Sequence, residues 1–396
     1  GEYAQAEAMF GTDMAAAVPA DKLQAVWESL PAQAGEAQGR GEPALESTTG
    51  AQLATIPLHY AKAELVAKVA VADDGRVVGF LIQPAPPPPA PAVAADSGFR
   101  ETDFSVGEGE RALPGTLAMP NGDGPFPAIV LVHGSGPQDR DESIGAGKPF
   151  LDIARGLAAQ GIAVLRYEKR THARPQEFAG HGFSVDDETT NDAVLAVDAL
   201  RKTPGIDPGR VFVLGHSQGG MMAPRIAAKS GHVAGLVLLA APSRPLLDIV
   251  IEQNRRLAVL DDGRTSDAER AAINALIEQV RLTRDPETDP ATKTVLGQPA
   301  GYWRSVDAVD PVQEAEADDL PMLVLQGARD IQVVDADWQG WKAAFHDDPK
   351  VTFKLYDKLN HLGIAGEGEG SLAEYQKAGH VDAQLIDDTA AWIKAH

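Results

Sequence analysis

Beyond residue 98 the chain alternates short unbroken apolar runs with stretches of helical periodicity. "FPAIVLVHG" is a continuous run, the mark of a strand buried on both faces. It is followed by a helix pattern ("PFLDIARGLAAQG"), a strand ("IAVLRYE"), a second helix ("TNDAVLAVDALRK") and the strand "VFVLG". A helix from about Met221 comes next, then the strands "AGLVLLAAP", "MLVLQG" and "TFKLYD". The closing helix, "VDAQLIDDTAAWIKA", gathers Val381, Leu385, Ile386, Trp392 and Ile393 on one broad apolar side. Strands alternating with helices in this way predict a mostly parallel, doubly wound α/β sheet. Ahead of it, "FRETDFSV" and "ALPGTLAMP" predict a pair of antiparallel strands.

One interval breaks the alternation. Residues 246–319 carry helical patterns and no strand signal, and "SDAERAAINALIEQVRL" opens with a capping box, Ser266 and Glu269. A helical insertion of this size between two sheet strands predicts a cap over the carboxyl edge, where open α/β sheets bind ligands. At the other end, "QPAPPPPAPAVAADSG" reads as a polyproline spacer over residues 84–98. Before it, "AMFGTDMAAAVPADKLQAVWESL" predicts two short helices broken at Pro19, with Asp21 as N-cap of the second. Alternating residues on both sides of "DDG" predict a hairpin. Residues 1–83 are thus expected to form a small α+β domain, and 99–396 a larger α/β domain.

Composition narrows the function classes. The formal charge of −22 over 396 residues argues against a nucleic-acid surface, which needs concentrated Lys and Arg. Acidic stretches such as "DDETTND" and "EAEADD" read as solvated surface. No apolar run approaches the roughly 20 residues of a membrane span. The absence of cysteine excludes disulfides, a thiol nucleophile and thiolate metal sites. The chain begins at Gly1 with no basic-then-apolar leader, compatible with one already removed. His172, His181 and the acids near them lack regular ligand spacing, so neither metal nor other cofactor is expected. The sequence leaves self-association open.

The chemistry lies where the strand "VFVLG" runs into "HSQGG". A G-x-S-x-G pattern between a buried strand and a helix holds its serine on a tight turn, with Oγ exposed above the sheet edge. Ser217 is the expected nucleophile, and the N–H of Gln218 the first oxyanion donor. Pro224, two turns into the helix, is expected to kink it. Serine needs a base, and the base needs an orienting acid, in the chain order Ser, acid, His. Among His346, His361, His380 and His396, only His361 follows a predicted strand in a loop that can reach the sheet edge. Asp330 follows "MLVLQG" on the same edge, with Asp335 and Asp337 as rivals. "LVHGSGPQDRD" supplies a glycine-rich turn after "AIVLV", whose second oxyanion donor is expected to be the N–H of Ser135, with Gly136 next. His133 is expected to brace this turn. Tyr167 and Arg170 of "RYEKRTHARPQ" are candidate pocket residues against the alternative of a solvated basic loop. Tyr302 and Trp303 of "GYWRS" are candidate substrate contacts against core packing, and "EGEGS" reads as a flexible loop.

Together "HGSGPQDRD", "LRYEKR", "GHSQGG", "LQGARDIQV" and "LNHLG" resemble bacterial α/β-hydrolase-fold serine hydrolases of the carboxylesterase and dienelactone-hydrolase type, over nearly all of residues 99–396. The stretch from "AMFGTDM" to "GFLIQP" is similar to a small accessory domain found ahead of some bacterial esterases. The resemblance implies a Ser217–Asp330–His361 triad, a small-molecule carboxylic ester with a short or medium acyl group as substrate, and a periplasmic or secreted location. Gln218 stands where that group usually has Leu, which bears on substrate fit rather than mechanism. A thioesterase would use the same residues, as would a prolyl-oligopeptidase-type peptidase, although residues 1–83 are too short for the propeller of the latter. A binding protein that kept the fold without catalysis is the alternative of a different class.

Overall fold

The fold is given by a computed structural model, which describes residues 2–48, 50–61, 63–85, 92–94, 96–178, 182–260 and 263–396. Residues 86–91 and 95 of the proline-rich tract, and His181, lie outside the described residues. Contacts divide the chain into two compact units, residues 1–89 and 90–396.

The smaller unit has helices Tyr3–Glu7, Thr12–Ala17 and Ala20–Ala34, one more than the sequence pattern suggests. The break at Pro19 is present, but Pro19 itself, with φ −65° and ψ 165°, occupies the capping position. Asp21 therefore sits in the first turn, where its charge favours the helix dipole without capping it. Five strands follow: β1 (Ala37–Arg40), β2 (Ala44–Thr48), β3 (Ala51–Tyr60), β4 (Glu64–Ala72) and β5 (Val77–Pro84). They form one antiparallel sheet, β1 and β2 both pairing with β3. The β4–β5 hairpin turns through Asp73–Gly75, with Gly75 at φ +81°.

The larger unit carries an eight-stranded sheet: β6 (Phe99–Val106), β7 (Leu113–Pro120), β8 (Phe126–Val132), β9 (Ala163–Tyr167), β10 (Ile206–His216), β11 (Leu236–Leu239), β12 (Met322–Gly327) and β13 (Val351–Tyr356). The order is β6-β7-β9-β8-β10-β11-β12-β13. β6–β7 and β7–β9 are antiparallel and the remaining pairs parallel. The unbroken apolar runs are explained by two cores. Val130, Val132, Val213, Leu238 and Val324 face one side, under helices Asn191–Arg201 and Gln218–Ser230. Ile129, Leu131, Phe212, Leu214 and Leu323 face the other, under Pro149–Ala159 and Ala383–Ala395. Each such side chain contributes on the order of 1.5–3 kcal/mol by leaving water, so the centre of the sheet is a rigid platform for the loops at its carboxyl edge.

Between β11 and β12 lie helices Leu246–Leu260, Asp267–Arg284, Ala300–Asp307 and Pro311–Asp318. The Ser266–Glu269 capping box is formed: Glu269 N–H donates to Ser266 Oγ at 3.2 Å and Ser266 N–H to Glu269 Oε2 at 2.7 Å. The helix after Ser217 continues through a buried Pro224 to Ser230. One acidic stretch is not solvated as the pattern suggested. In "DDETTND", Glu188 is buried on a π-helical turn (Asp186–Thr190) and Asp192 in the first turn of the helix Asn191–Arg201 that follows.

Candidate active site

β10 ends at His216 and a helix begins at Gln218, leaving Ser217 alone to make the turn at φ +53° and ψ −122°. A side chain is costly in that region, by roughly 1–3 kcal/mol, and it persists only where the surroundings impose it. Here the surroundings are glycines. A Cβ on Gly215 would lie 2.2 Å from the Gly219 carbonyl oxygen, and one on Gly219 would lie 2.2 Å from that of Val132. A Cβ on Gly220 would come within 2.7 Å of Ala241 Cβ. The chain can double back so tightly only because all three lack side chains. Among buried neighbours Ser217 remains half-buried, and it lines a cavity of about 620 Å³. Gln218 is the first helical residue, so its N–H belongs to the donors without an intrahelical acceptor.

Asp330 lies three residues past β12. Its Oδ1 accepts the backbone N–H of Gln332 at 2.8 Å and of Val333 at 3.0 Å. Its Oδ2 accepts Gln326 Nε2 at 3.3 Å and faces His361 Nδ1 at 2.7 Å. A carboxylate can only accept, so Nδ1 carries the imidazole proton and Nε2 is left as the basic nitrogen. Both side chains are buried. Their loops are locked together where Arg329 N–H donates to the Leu359 carbonyl at 3.0 Å. A Cβ on Gly327 would stand 2.3 Å from that carbonyl. Asn360 shapes the turn, its Oδ1 accepting the N–H of Leu362 at 3.0 Å and of Ile364 at 3.2 Å. The nucleophile's strand reaches this loop directly: His216 Nε2 donates to the His361 carbonyl at 2.9 Å.

The glycine-rich turn completes the edge. A Cβ on Gly134 would stand 3.3 Å from Ser217 Cβ. The Gly134 N–H is taken by Glu142 Oε1 at 2.6 Å and its carbonyl by Lys169 Nζ at 2.8 Å. With that carbonyl held, the N–H of Ser135 across the same trans peptide points the opposite way. Ser135 and Gly136 both line the cavity, Gly136 at φ +82°.

The other sequence candidates separate cleanly. Tyr302 and Trp303 are buried and line the cavity, Tyr302 donating to Glu188 Oε2 at 2.6 Å and Trp303 Nε1 to the Val295 carbonyl at 2.7 Å. Tyr167 is a correction: it is core, its ring edge-on to His133 at 5.3 Å, because the end of β9 turns it under the sheet edge rather than over it. Nor is its loop a solvated basic one. Lys169 pairs with Glu188 at 3.2 Å and Arg170 with Asp192 at 2.6 Å, all buried. Asp337 holds Arg244 at 2.7 Å and Asp335 begins a helix, so neither joins His361. His346 and His380 pair with Asp347 and Asp152, and His396 packs on Trp392. The "EGEGS" loop wraps Arg329, which donates to the carbonyls of Glu367 and Gly368. Among the described residues no cluster of three or more His, Cys, Asp or Glu that could hold a metal is found. A second cleft, about 700 Å³, lies among Glu101, Arg140, Asp141, Arg155 and Arg166, whose guanidiniums are held by neighbouring carboxylates.

Sequence reasoning passed over the charged residues beneath the turn. Glu142 and His216 are 1% and 2% exposed, with His216 Nδ1 2.9 Å from Glu142 Oε2. Burial opposes charge on both, yet the attraction outweighs it: Glu142 lies below the usual carboxylate range and His216 above the usual histidine value. At His133 burial outweighs the pull of Glu142 and drives it down to about 4, so it is neutral and braces the turn by packing on Phe150.

The chain has relatives among known proteins. Residues 125–367 match the family model described as serine aminopeptidase, S33, and residues 1–80 match a family of unknown function. The chain is 36% identical over 387 residues to the esterase EstD of Thermotoga maritima, covering 97% of this chain and 90% of that protein. Among solved structures it is similar to Est1E from Butyrivibrio proteoclasticus (15% identity, TM-score 0.48, 74% of this chain and 99% of that one). It is also similar to an esterase from Pyrobaculum calidifontis (16%, 0.48, 75% and 85%). No helix among the described residues is long and apolar enough to cross a membrane. With one family model matching more than half of its residues and a relative aligned along almost its whole length, the chain belongs to the S33-type family of α/β-hydrolase-fold hydrolases.

Proposed function

We propose that the protein hydrolyses carboxylic esters through an acyl-enzyme on Ser217. His361 Nε2 takes the hydroxyl proton as Ser217 Oγ attacks the ester carbonyl, then returns it to the departing alcohol. Asp330 fixes the ring's tautomer and stabilises the imidazolium. The N–H groups of Gln218 and Ser135 receive the oxyanion, each worth about 2.7–4 kcal/mol in this class of site. Water activated by His361 then releases the acid. The observation that carries this reading is Ser217 held at positive φ on the cavity wall, one residue from a histidine bonded to the His361 backbone.

The helical insertion acts as the cap. Its Leu246, Val250, Tyr302 and Trp303, with Phe178 and with Phe183 packed on Tyr302, give the cavity apolar walls suited to short or medium acyl chains. A peptidase of the aminopeptidase kind is favoured only by the family's description, since it needs an acidic group free for the substrate's ammonium. Among the described residues the lining carries one carboxylate, Glu188, and Lys169 and Tyr302 hold it. A periplasmic or secreted location belongs to the same reading, supported by the two-domain arrangement and checked by cell fractionation. Turnover of p-nitrophenyl acetate, butyrate and palmitate beside an aminoacyl anilide tests the activity. Esters with short chains should be preferred and Ser217→Ala should be inert; faster cleavage of the anilide would replace the proposal with the peptidase.

A further inference from the structure

Three loops must keep register for the chemistry above: the Gly134 turn, the Ser217 turn and the His361 loop. One pair of side chains touches all three. Glu142 Oε1 accepts the Gly134 N–H at 2.6 Å, and its Oε2 lies 2.9 Å from His216 Nδ1. His216 precedes Ser217, and its Nε2 donates to the His361 carbonyl at 2.9 Å. The rings of His216 and His361 are 4.7 Å apart. Glu142 adopts φ +50°, a conformation costly for a residue with a side chain and retained here in a fully packed turn.

Protonation follows from the geometry. A carbonyl only accepts, so Nε2 must carry a proton; Nδ1 faces a carboxylate, so it must carry one too. Among the described residues neither Nδ1 nor Glu142 Oε2 makes an aligned hydrogen bond, and their approach to 2.9 Å is an ion-pair contact that opposes the cost of burying both. We propose that His216 is an imidazolium at neutral pH and that the Glu142–His216 ion pair is a positioning device, tying the oxyanion turn and the base loop to the nucleophile. The surrounding titratable groups are accounted for. His133 comes from the end of β8, Asp330 and His361 from the loops after β12 and β13, and Lys169 lies beyond Gly134. The pair brings no net charge to the site.

The inference rests on Ser217 being the nucleophile, and the test separates the two. Wild-type protein, Glu142→Gln, His216→Gln and the double variant are compared for ester turnover and for labelling by a fluorophosphonate. Each single variant should lose about 10–100-fold in kcat with KM within about twofold, because orientation and not binding is removed. The double variant should fall no further than the worse single one, since the pair acts as a unit. Wild-type kcat in either single variant, or losses that multiply in the double, would overturn the proposal while leaving Ser217 in place. A wild-type protein that neither turns over nor labels would remove the underlying reading instead. Should the variants not fold, histidine nitrogen NMR on the wild type decides: two ring N–H signals for His216 near pH 7.5 support it, and a neutral ring there refutes it.

Discussion

The three residues proposed as a triad could be picked out one at a time because each follows a strand end: Ser217 directly after β10, Asp330 three residues past β12 and His361 five past β13. The glycines around Ser217 were legible for the same local reason. Gly219→Ala would push a Cβ to 2.2 Å from the Val132 carbonyl oxygen, with backbone on both sides and nothing able to yield. A loss of more than about 3 kcal/mol in urea unfolding is expected, the scale of a severe packing clash. Wild-type stability in that variant would mean the turn is looser than described. Asp330→Asn keeps the shape but allows the wrong tautomer at His361, so kcat should fall by about 10⁴ with little change in KM. The residues that escaped notice, Glu142, Lys169, Glu188 and His216, share one cause. Each is charged and pairs with a partner distant in sequence, so composition alone assigns it to the surface. Only the fold shows that it is buried.

Among elements, the sheet was readable from its apolar runs, because a strand covered on both faces must be apolar throughout. The helical insertion was readable as an absence of strand signals, but its docking was not. It is fastened by polar contacts: Tyr302 to Glu188 at 2.6 Å, and the Val185 N–H to Ser305 Oγ at 2.9 Å. Tyr302→Phe leaves the buried Glu188 carboxylate with one fewer donor, which should cost about 1–3 kcal/mol. Because Tyr302 also lines the cavity, KM for p-nitrophenyl butyrate should rise more than kcat falls. An unchanged KM would place the substrate away from this wall. The small N-terminal unit shows how far pattern reaches. The hairpin at Asp73–Gly75 was legible from its turn residues, whereas β1 and β2, short and exposed, carry no apolar signature.

For the whole molecule, the buried histidines set a pH dependence of stability with opposite signs. His133 falls from 6.5 to about 4 on folding, so below pH 6.5 the unfolded chain binds the proton that the folded one refuses. Stability should therefore fall between about pH 6.5 and 4, by about 3 kcal/mol from this residue. His216 is raised above 6.5 by Glu142 despite burial, so its contribution is complete below pH 6.5 and fades as pH climbs through the folded value. Urea midpoints across this range should peak between the two, and His133→Gln should flatten the acid side alone. A wild-type acid limb that persists unaltered in His133→Gln would assign it to other groups. At this scale the charge of −22 was readable, but its distribution was not, since buried pairs take part of the acidic complement inside.

The most direct measurement is rapid-quench mass spectrometry of the enzyme mixed with p-nitrophenyl acetate, followed by peptide mapping. The account predicts one acetyl group on the peptide bearing Ser217, accumulating when His361 is replaced by a slower base and absent from Ser217→Ala. An acetyl group on another residue, or steady turnover by Ser217→Ala, would contradict it.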